Sequence, residues 1–272
     1  MKKQMLASFA FCCLAALFSC KNETKAPEGA KAVIVGHLHF NKSDGADCDK
    51  PDTLRIDCAA INLSYPNVEE GCEPLKKSVA AWAEKYLMGI LEGYDSLGNP
   101  IPSNSLDAAA ASFFQTRRDF AKDAVDAPMG SWVAESTDTV LLNDGKHLTL
   151  ENVGYTFQGG AHGSPTASVA TFDANTGKQL TWDDLVTDTT ALKVVAEKKF
   201  REERADIFKP TDGSEPFQFD DVFQFKLPDN YGLTEAGIYC HYLAYEVGPY
   251  AIGSSVFTIP FAELGALSKI KQ

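Results

Sequence analysis

The rhythm of hydrophobic and polar positions changes several times along this chain, and each change predicts an element. Ala32 to Phe40 alternates, with Val33, Val35, His37 and His39 on one side and Ile34, Leu38 and Phe40 on the other. A period of two is the mark of a strand. Asn41 to Asp52 is turn-rich, and Thr53 to Tyr65 alternates again as the partner of a long-looped hairpin, with Tyr65-Pro66-Asn67 expected to end it. From Glu73 to Glu92 the period becomes helical. Leu75, Val79, Trp82, Tyr86 and Ile90 share one stripe, Pro74 suits the first turn, and Gly93 suits the position past the end. A second helix is expected from about Ser105 to Asp126, with Leu106, Ala110, Phe113, Arg117 and Phe120 on one face and Pro128 beyond it.

After Ser131 the strand rhythm returns. Ser131–Ser136, Thr139–Leu142, Lys146–Phe157, Thr166–Phe172 and Gln179–Trp182 read as strands, the last two joined by the hairpin signal Asn175-Thr176-Gly177. A third helix is expected over Thr189–Arg204, where Lys193–Glu197, Lys198–Glu202 and Lys199–Glu203 stand four apart. Phe217–Leu227, Gly237–Glu246 and Ser254–Pro260 read as late strands, and Phe261–Leu267 as a short helix. Strands and helices do not alternate regularly. The pattern predicts an α+β fold of antiparallel sheets with three main helices. It divides into two intimately packed subdomains, 31–142 and 143–272.

The first nineteen residues do not belong to that pattern. Lys2 and Lys3 precede an uncharged apolar run, Met5 to Phe18, shorter than the roughly 20 residues a spanning helix needs. This is the shape of a secretory signal peptide. Leu17-Phe18-Ser19-Cys20 matches the bacterial lipobox, which implies that Cys20 is acylated and becomes the mature N-terminus. Several acyl chains anchor a protein stably. Residues 20–30, with Pro27 and Gly29, read as a flexible tether. The expectation is an exported lipoprotein anchored to a bacterial membrane. Lys21-Asn22 carries no Asp retention signal, which favours the outer membrane, facing periplasm or surface, over the inner.

Charge narrows the partners. The chain holds 25 Lys and Arg against 37 Asp and Glu, and removal of residues 1–19 takes away Lys2 and Lys3 and no acid, moving the net charge from −12 to −14. Nucleic-acid binding is driven by basic residues that displace counterions, so that class is excluded. A basic protein partner or a glycan is compatible with an acidic surface. Four cysteines follow the tether: Cys48, Cys58, Cys72 and Cys240. Export and an even count predict one or two disulfides, and three pairings are open. The spacings fit no zinc motif.

Two stretches stand out as candidate chemistry. In Gln158-Gly159-Gly160-Ala161-His162-Gly163-Ser164, three glycines around a histidine free the backbone to take unusual angles and expose N–H groups. In Tyr245-Glu246-Val247-Gly248-Pro249-Tyr250, Gly248-Pro249 forces a turn with Tyr250 near its tip, an arrangement suited to partner or sugar contact or to packing over its own loop. No Walker A or nucleophile-elbow pattern is present. His37 and His39 share a strand face and could chelate a metal with Asp47 or Asp49, although a plain strand pair is the simpler reading. Asp183-Asp184 and Asp220-Asp221 are adjacent pairs whose side chains diverge on a strand, and Phe217, Phe219, Phe223 and Phe225 read as core.

Together these stretches carry a resemblance. Gly-Gly-Ala-His-Gly, Phe172-Asp173, Thr176-Gly177-Lys178, Asp183-Asp184-Leu185, Gly237-Ile238-Tyr239, Tyr245-Glu246, Gly248-Pro249-Tyr250-Ala251-Ile252-Gly253 and Ile259-Pro260 resemble the family called domain of unknown function 3298. The preceding half, with Ile61–Tyr65-Pro66 before two helices, resembles its usual companion, domain of unknown function 4163. Such pairs form the extracellular part of lysozyme-sensing anti-sigma factors and an accessory region of peptidoglycan deacetylases. The resemblance implies an exported envelope-recognition domain whose binding surface is built from loops of the C-terminal half: Gly160, His162, Gly163 and Ser164 with Glu246, Pro249 and Tyr250.

The expected function is therefore non-enzymatic recognition of a lysozyme-like protein or a peptidoglycan glycan, with no cofactor and no metal. Two other readings stay open. One is a cell-wall hydrolase with His162 as base and Glu246 as its orienter. The other is a structural lipoprotein without a specific ligand.

Overall fold

The computed structural model describes residues 32–51, 54–95, 97–123 and 130–270. The expected signal segment, tether and Cys20 lie outside these residues. The order is β1 (Ile34–Asp44), β2 (Ala59–Glu70), α1 (Glu73–Ile90), β3 (Gly93–Tyr94), β4 (Pro100–Ile101), α2 (Leu106–Asp123), β5 (Trp132–Asn143), β6 (His147–Phe157), β7 (Ser164–Asp173), α3 (Trp182–Leu185), α4 (Thr189–Glu203), α5 (Ala205–Phe208), β8 (Asn230–Leu233), β9 (Gly237–Tyr242), β10 (Ser255–Pro260) and α6 (Phe261–Leu264). The fold is α+β and rich in antiparallel sheet, with α1, α2 and α4 as the long helices among the described residues.

The main sheet runs β1-β2-β5-β6-β7, and a second sheet runs β10-β9-β8. Every neighbouring pair is antiparallel except β2 and β5. A parallel neighbour needs a crossover, and α1, the small β3–β4 hairpin and α2 provide it. The main sheet takes strands from both sides of residue 142. Apolar residues gather in three buried groups. The end of α1 and the first half of α2 cover β2 and β5 through Leu87, Phe113, Ile61 and Trp132. The start of α1 covers β6 and β7 through Leu75, Val79, Leu150 and Phe172. Helix α4 covers β9 and β10 through Leu192, Phe200, Tyr242 and Ile259.

The two sheets meet across a polar clamp. Tyr239 Oη donates to Glu151 Oε1 at 2.7 Å, and the His241 Nδ1 lies 2.9 Å from the same oxygen. Glu151 and His241 are nearly buried, at 8 % and 7 % exposure. Beside this clamp Thr171 Oγ1 accepts the Leu233 amide at 2.9 Å and shares a hydrogen bond with Thr149. A β-carbon at Gly232 would lie 2.5 Å from Thr149 Cγ2, so glycine there permits the close approach.

Several local expectations are corrected. Strand β2 runs through Pro66 to Glu70 because its pairing with β5 stops at Leu63, and a strand paired on one side only tolerates a residue without an N–H. On α1 the buried stripe is Leu75, Val79, Ala83, Leu87 and Ile90, so Trp82 and Tyr86 stand one position to its side. The two expected strands over 131–142 are one strand, β5 (Trp132–Asn143), with an irregularity between Val140 and Leu142. Residues 217–227 form no strand. Asp220 Oδ1 accepts the amides of Val222 and Phe223 at 2.8 and 2.7 Å, a local turn that competes with a ladder. Phe219 and Phe225 still pack around Phe200, whose ring also meets Tyr242 at 5.2 Å. The 175–177 turn forms, but its return arm keeps one bridge, Phe172 to Gln179, before Thr181 and Asp184 make a capping box that starts α3.

Of the cysteines, Cys48 and Cys58 form a disulfide. Among the described residues no second disulfide joins Cys72 to Cys240. Cys240 faces the α4 core and burial pushes its thiol well above the ordinary range, whereas Cys72, at the start of α1, donates to Asn175 O at 3.2 Å.

Candidate recognition site

Strands β6 and β7 are joined by residues 158–163, and β9 leads through residues 243–249 into a single 3-10 turn, Tyr250–Ile252. The two connections touch. The rings of His162 and Tyr250 stack with centroids 3.8 Å apart and planes 21° apart. Tyr250 Oη donates to Gly163 O at 3.0 Å, and His162 Nδ1 donates to the same carbonyl at 3.0 Å. Residues separated by 87 positions thus form one unit.

Glycine is required at three points of the first loop. Gly159 and Gly160 hold φ of +88° and +91°, which residues with a β-carbon rarely adopt. At Gly163 a β-carbon would fall 2.1 Å from the Tyr155 hydroxyl, so the hydroxyl end of the Tyr155 ring sits against bare backbone. Pro249 fixes the entry to the 3-10 turn with φ −64°. Gly160, His162, Ser164 and Pro249 are exposed, Gly163 is buried and Tyr250 is half-buried.

Glu246 has a supporting place. Its side chain is 7 % exposed; Oε1 accepts the Asp229 amide at 2.8 Å, Oε2 accepts the Leu243 amide at 3.0 Å, and Lys226 Nζ lies at 3.6 Å. It ties the 243–246 turn to the segment ahead of β8. No contact joins it to His162, so the pairing that a hydrolase reading needs is not formed.

The sequence reading missed Tyr245 and Tyr155. Tyr245 is the one non-glycine among the described residues with positive φ, at 70°, and it is 58 % exposed. A left-handed conformation costs an ordinary residue about 1–2 kcal/mol. Here it turns the ring to 5.6 Å from Tyr250. Backbone strain of this kind gathers at functional sites. The available signal was an aromatic directly before Glu246, but nothing local announces its φ. Tyr155, Tyr245, His162 and Tyr250 together make a partly exposed aromatic ridge on a braced backbone. Flat rings of this kind suit the C–H faces of sugars or the concave surface of a protein.

Beside the ridge lies a groove of 760 Å³ between α1 and the outer edge of β7, lined by Trp82, Lys85, Tyr86, Thr166, Ser168, Asp229 and Leu243. Glu246 bonds both Asp229 and Leu243, so the same carboxylate braces the ridge and one wall of the groove.

The His37–His39 pair is elsewhere, on β1. Asp47 is engaged with Lys50 and with the amides of Ile56 and Asp57, and the Lys50 ammonium holds its carboxyl below the usual range. It does not join the histidines. Among the described residues no three His, Cys, Asp or Glu side chains gather as a metal cluster. Asp183 and Asp184 both fall in α3, where Asp184 caps Thr181.

Residues 183–262 match the family model described as "Protein of unknown function (DUF3298)". That span contains Glu246, Pro249 and Tyr250, while residues 160–164 precede it. No curated protein matches the chain. Among solved structures, a DUF3298 family protein from Pseudomonas aeruginosa PAO1 is similar over 88 % of this chain and 96 % of its own, at 17 % identity and a TM-score of 0.61. A member of the DUF3298 family from Bacteroides fragilis NCTC 9343 is similar over 89 % and 95 %, at 19 % identity and a TM-score of 0.60. At these identities the likeness is one of fold.

Proposed function

We propose that this protein is a lipid-anchored envelope lipoprotein whose folded part recognises a basic, lysozyme-like protein through the ridge of His162, Tyr250 and Tyr245. The observation that carries the reading is the His162–Tyr250 stack closed on Gly163 O. Two distant loops are spent on presenting rings at the surface, at the cost of a strained Tyr245. Rigid aromatics lose little entropy on binding and dominate interface hot spots. The net charge of −12, or −14 once residues 1–19 are removed, favours a basic partner by steering. The N-terminal region is read as a companion domain of the 4163 type, and Cys20 as the acylation site on an exported chain, on the outer membrane in preference to the inner. Among the described residues no helix is long and apolar enough to cross a membrane.

The test is calorimetric titration of the full chain in detergent with a purified basic muramidase, and in parallel with soluble peptidoglycan fragments. Tyr250→Ala should weaken muramidase binding by about 2 kcal/mol or more, the scale of an interface anchor. Binding of the glycan fragments alone would move the assignment from protein to sugar. Binding of neither would end it.

A further inference from the structure

We propose that His37 and His39 form an open two-imidazole site for a divalent transition cation on β1, with Asp138 and Ser64 as its support. The argument starts from strand geometry. Residues two apart on a strand project to the same side, about 6.6 Å apart, which lets two imidazoles converge on one ion. Strand β1 is the edge of the main sheet, and both histidines are exposed.

The structure adds what the sequence could not show. The His37 Nδ1 lies 2.7 Å from Asp138 Oδ2, and Ser64 Oγ donates to Asp138 Oδ1 at 2.8 Å. The Asp138 side chain is 1 % exposed, while that of His37 is 52 % exposed. A carboxylate oxygen can only accept, so Nδ1 carries the proton and the Nε2 lone pair faces outward. A buried carboxylate on one nitrogen and an open second nitrogen is the second-shell arrangement of metal-bound histidine. It fixes the tautomer and orients the ring. Among the described residues no hydrogen bond or ion pair holds His39, so its ring is free to turn toward the same ion. Asn41 continues the row on the same side of β1.

No other surface histidine is prepared in this way. His147 pairs with Asp144 three residues away, His162 is stacked, and His241 is buried in the inter-sheet clamp. Two imidazoles leave the remaining coordination positions to water or to a partner's side chain. Imidazole suits copper, nickel and zinc, and the stability order places Cu²⁺ first.

The experiment is titration of the full chain in detergent with Cu²⁺ and Zn²⁺ by calorimetry, with electron paramagnetic resonance of the copper form. One tight equivalent is expected, with Cu²⁺ bound more tightly than Zn²⁺ and two nitrogen ligands in the spectrum. His37→Ala and His39→Ala should each weaken Cu²⁺ at least tenfold. Asp138→Asn should weaken it about 10- to 100-fold, with circular dichroism unchanged. Should Asp138→Asn fail to fold, Ser64→Ala carries that arm, with a severalfold loss expected. A His37→Ala/His39→Ala double variant that keeps the tight equivalent overturns the site. Unchanged affinity in a folded Asp138→Asn, or in Ser64→Ala if that variant must stand in, overturns the role of the support.

Discussion

If the two loops are one unit, removing either ring of the His162–Tyr250 stack must be felt by the other. Consider Tyr250→Leu, His162→Ala and the double variant. Tyr250→Leu deletes the 3.0 Å bond to Gly163 O and the 3.8 Å stack. A hydrogen bond contributes about 0.5–1.5 kcal/mol, and the low end applies because His162 still donates to the same carbonyl. Aromatic stacking adds about 0.5–1.5 kcal/mol. The single change should therefore cost about 1–2 kcal/mol, a drop of roughly 2–8 °C in Tm for a protein of this size. A tyrosine standing free at a turn tip would show almost none. His162→Ala removes the same stack, so the double variant should fall short of additivity by about 0.5–1.5 kcal/mol. Urea denaturation of the four proteins measures the coupling. Additivity within 0.3 kcal/mol, near the scatter expected of independent sites, would refute the stack and with it the single recognition surface.

Four further expectations follow from particular contacts. The Cys48–Cys58 disulfide closes a loop of sequence separation 10, and a Cys48→Ser/Cys58→Ser variant should lose about 3 kcal/mol by chain entropy in urea melts; four free thiols titrating in the denatured, oxidised chain would remove the premise. Asn152 is fully buried on β6 with neither amide atom bonded, so Asn152→Leu should raise Tm by relieving a desolvation cost of about 1–3 kcal/mol, and a lowered Tm would show that the amide has a partner in solution. Lys178, bonded to Asp184, and the Thr181 amide hold the Asp184 carboxyl at about 2, against 3.8 ordinarily. A depressed folded value adds stability above pH 3.8 that is lost as pH falls toward 2, which carboxyl NMR shifts would follow. Cys20→Ala should abolish acylation, and labelled palmitate still entering that variant would end the anchoring claim.

The sequence alone determined where the long elements lie, because their periods are local properties. Helices α1, α2 and α4 and most strands fall within a few residues of the alternating or helical runs that predict them. It also singled out the glycine loop and the Gly-Pro-Tyr turn, since glycine and proline restrict the backbone whatever surrounds them. Tertiary structure decided what each residue does there. Tyr250 reaches Gly163 across 87 positions and His37 reaches Asp138 across 101, and no local period encodes either meeting. From the sequence Glu246 reads as a support of its turn or, in the hydrolase alternative, as the orienter of His162, and two backbone amides claim its oxygens and make it a brace. The run Phe217–Leu227 alternates like a strand, but Asp220 closes its own turn instead. Cys72 and Cys240 could have paired with each other by count, but one stands at the start of α1 and the other faces the α4 core. Periodicity fixes which side of an element is apolar; only packing fixes which distant side chain lies across from it.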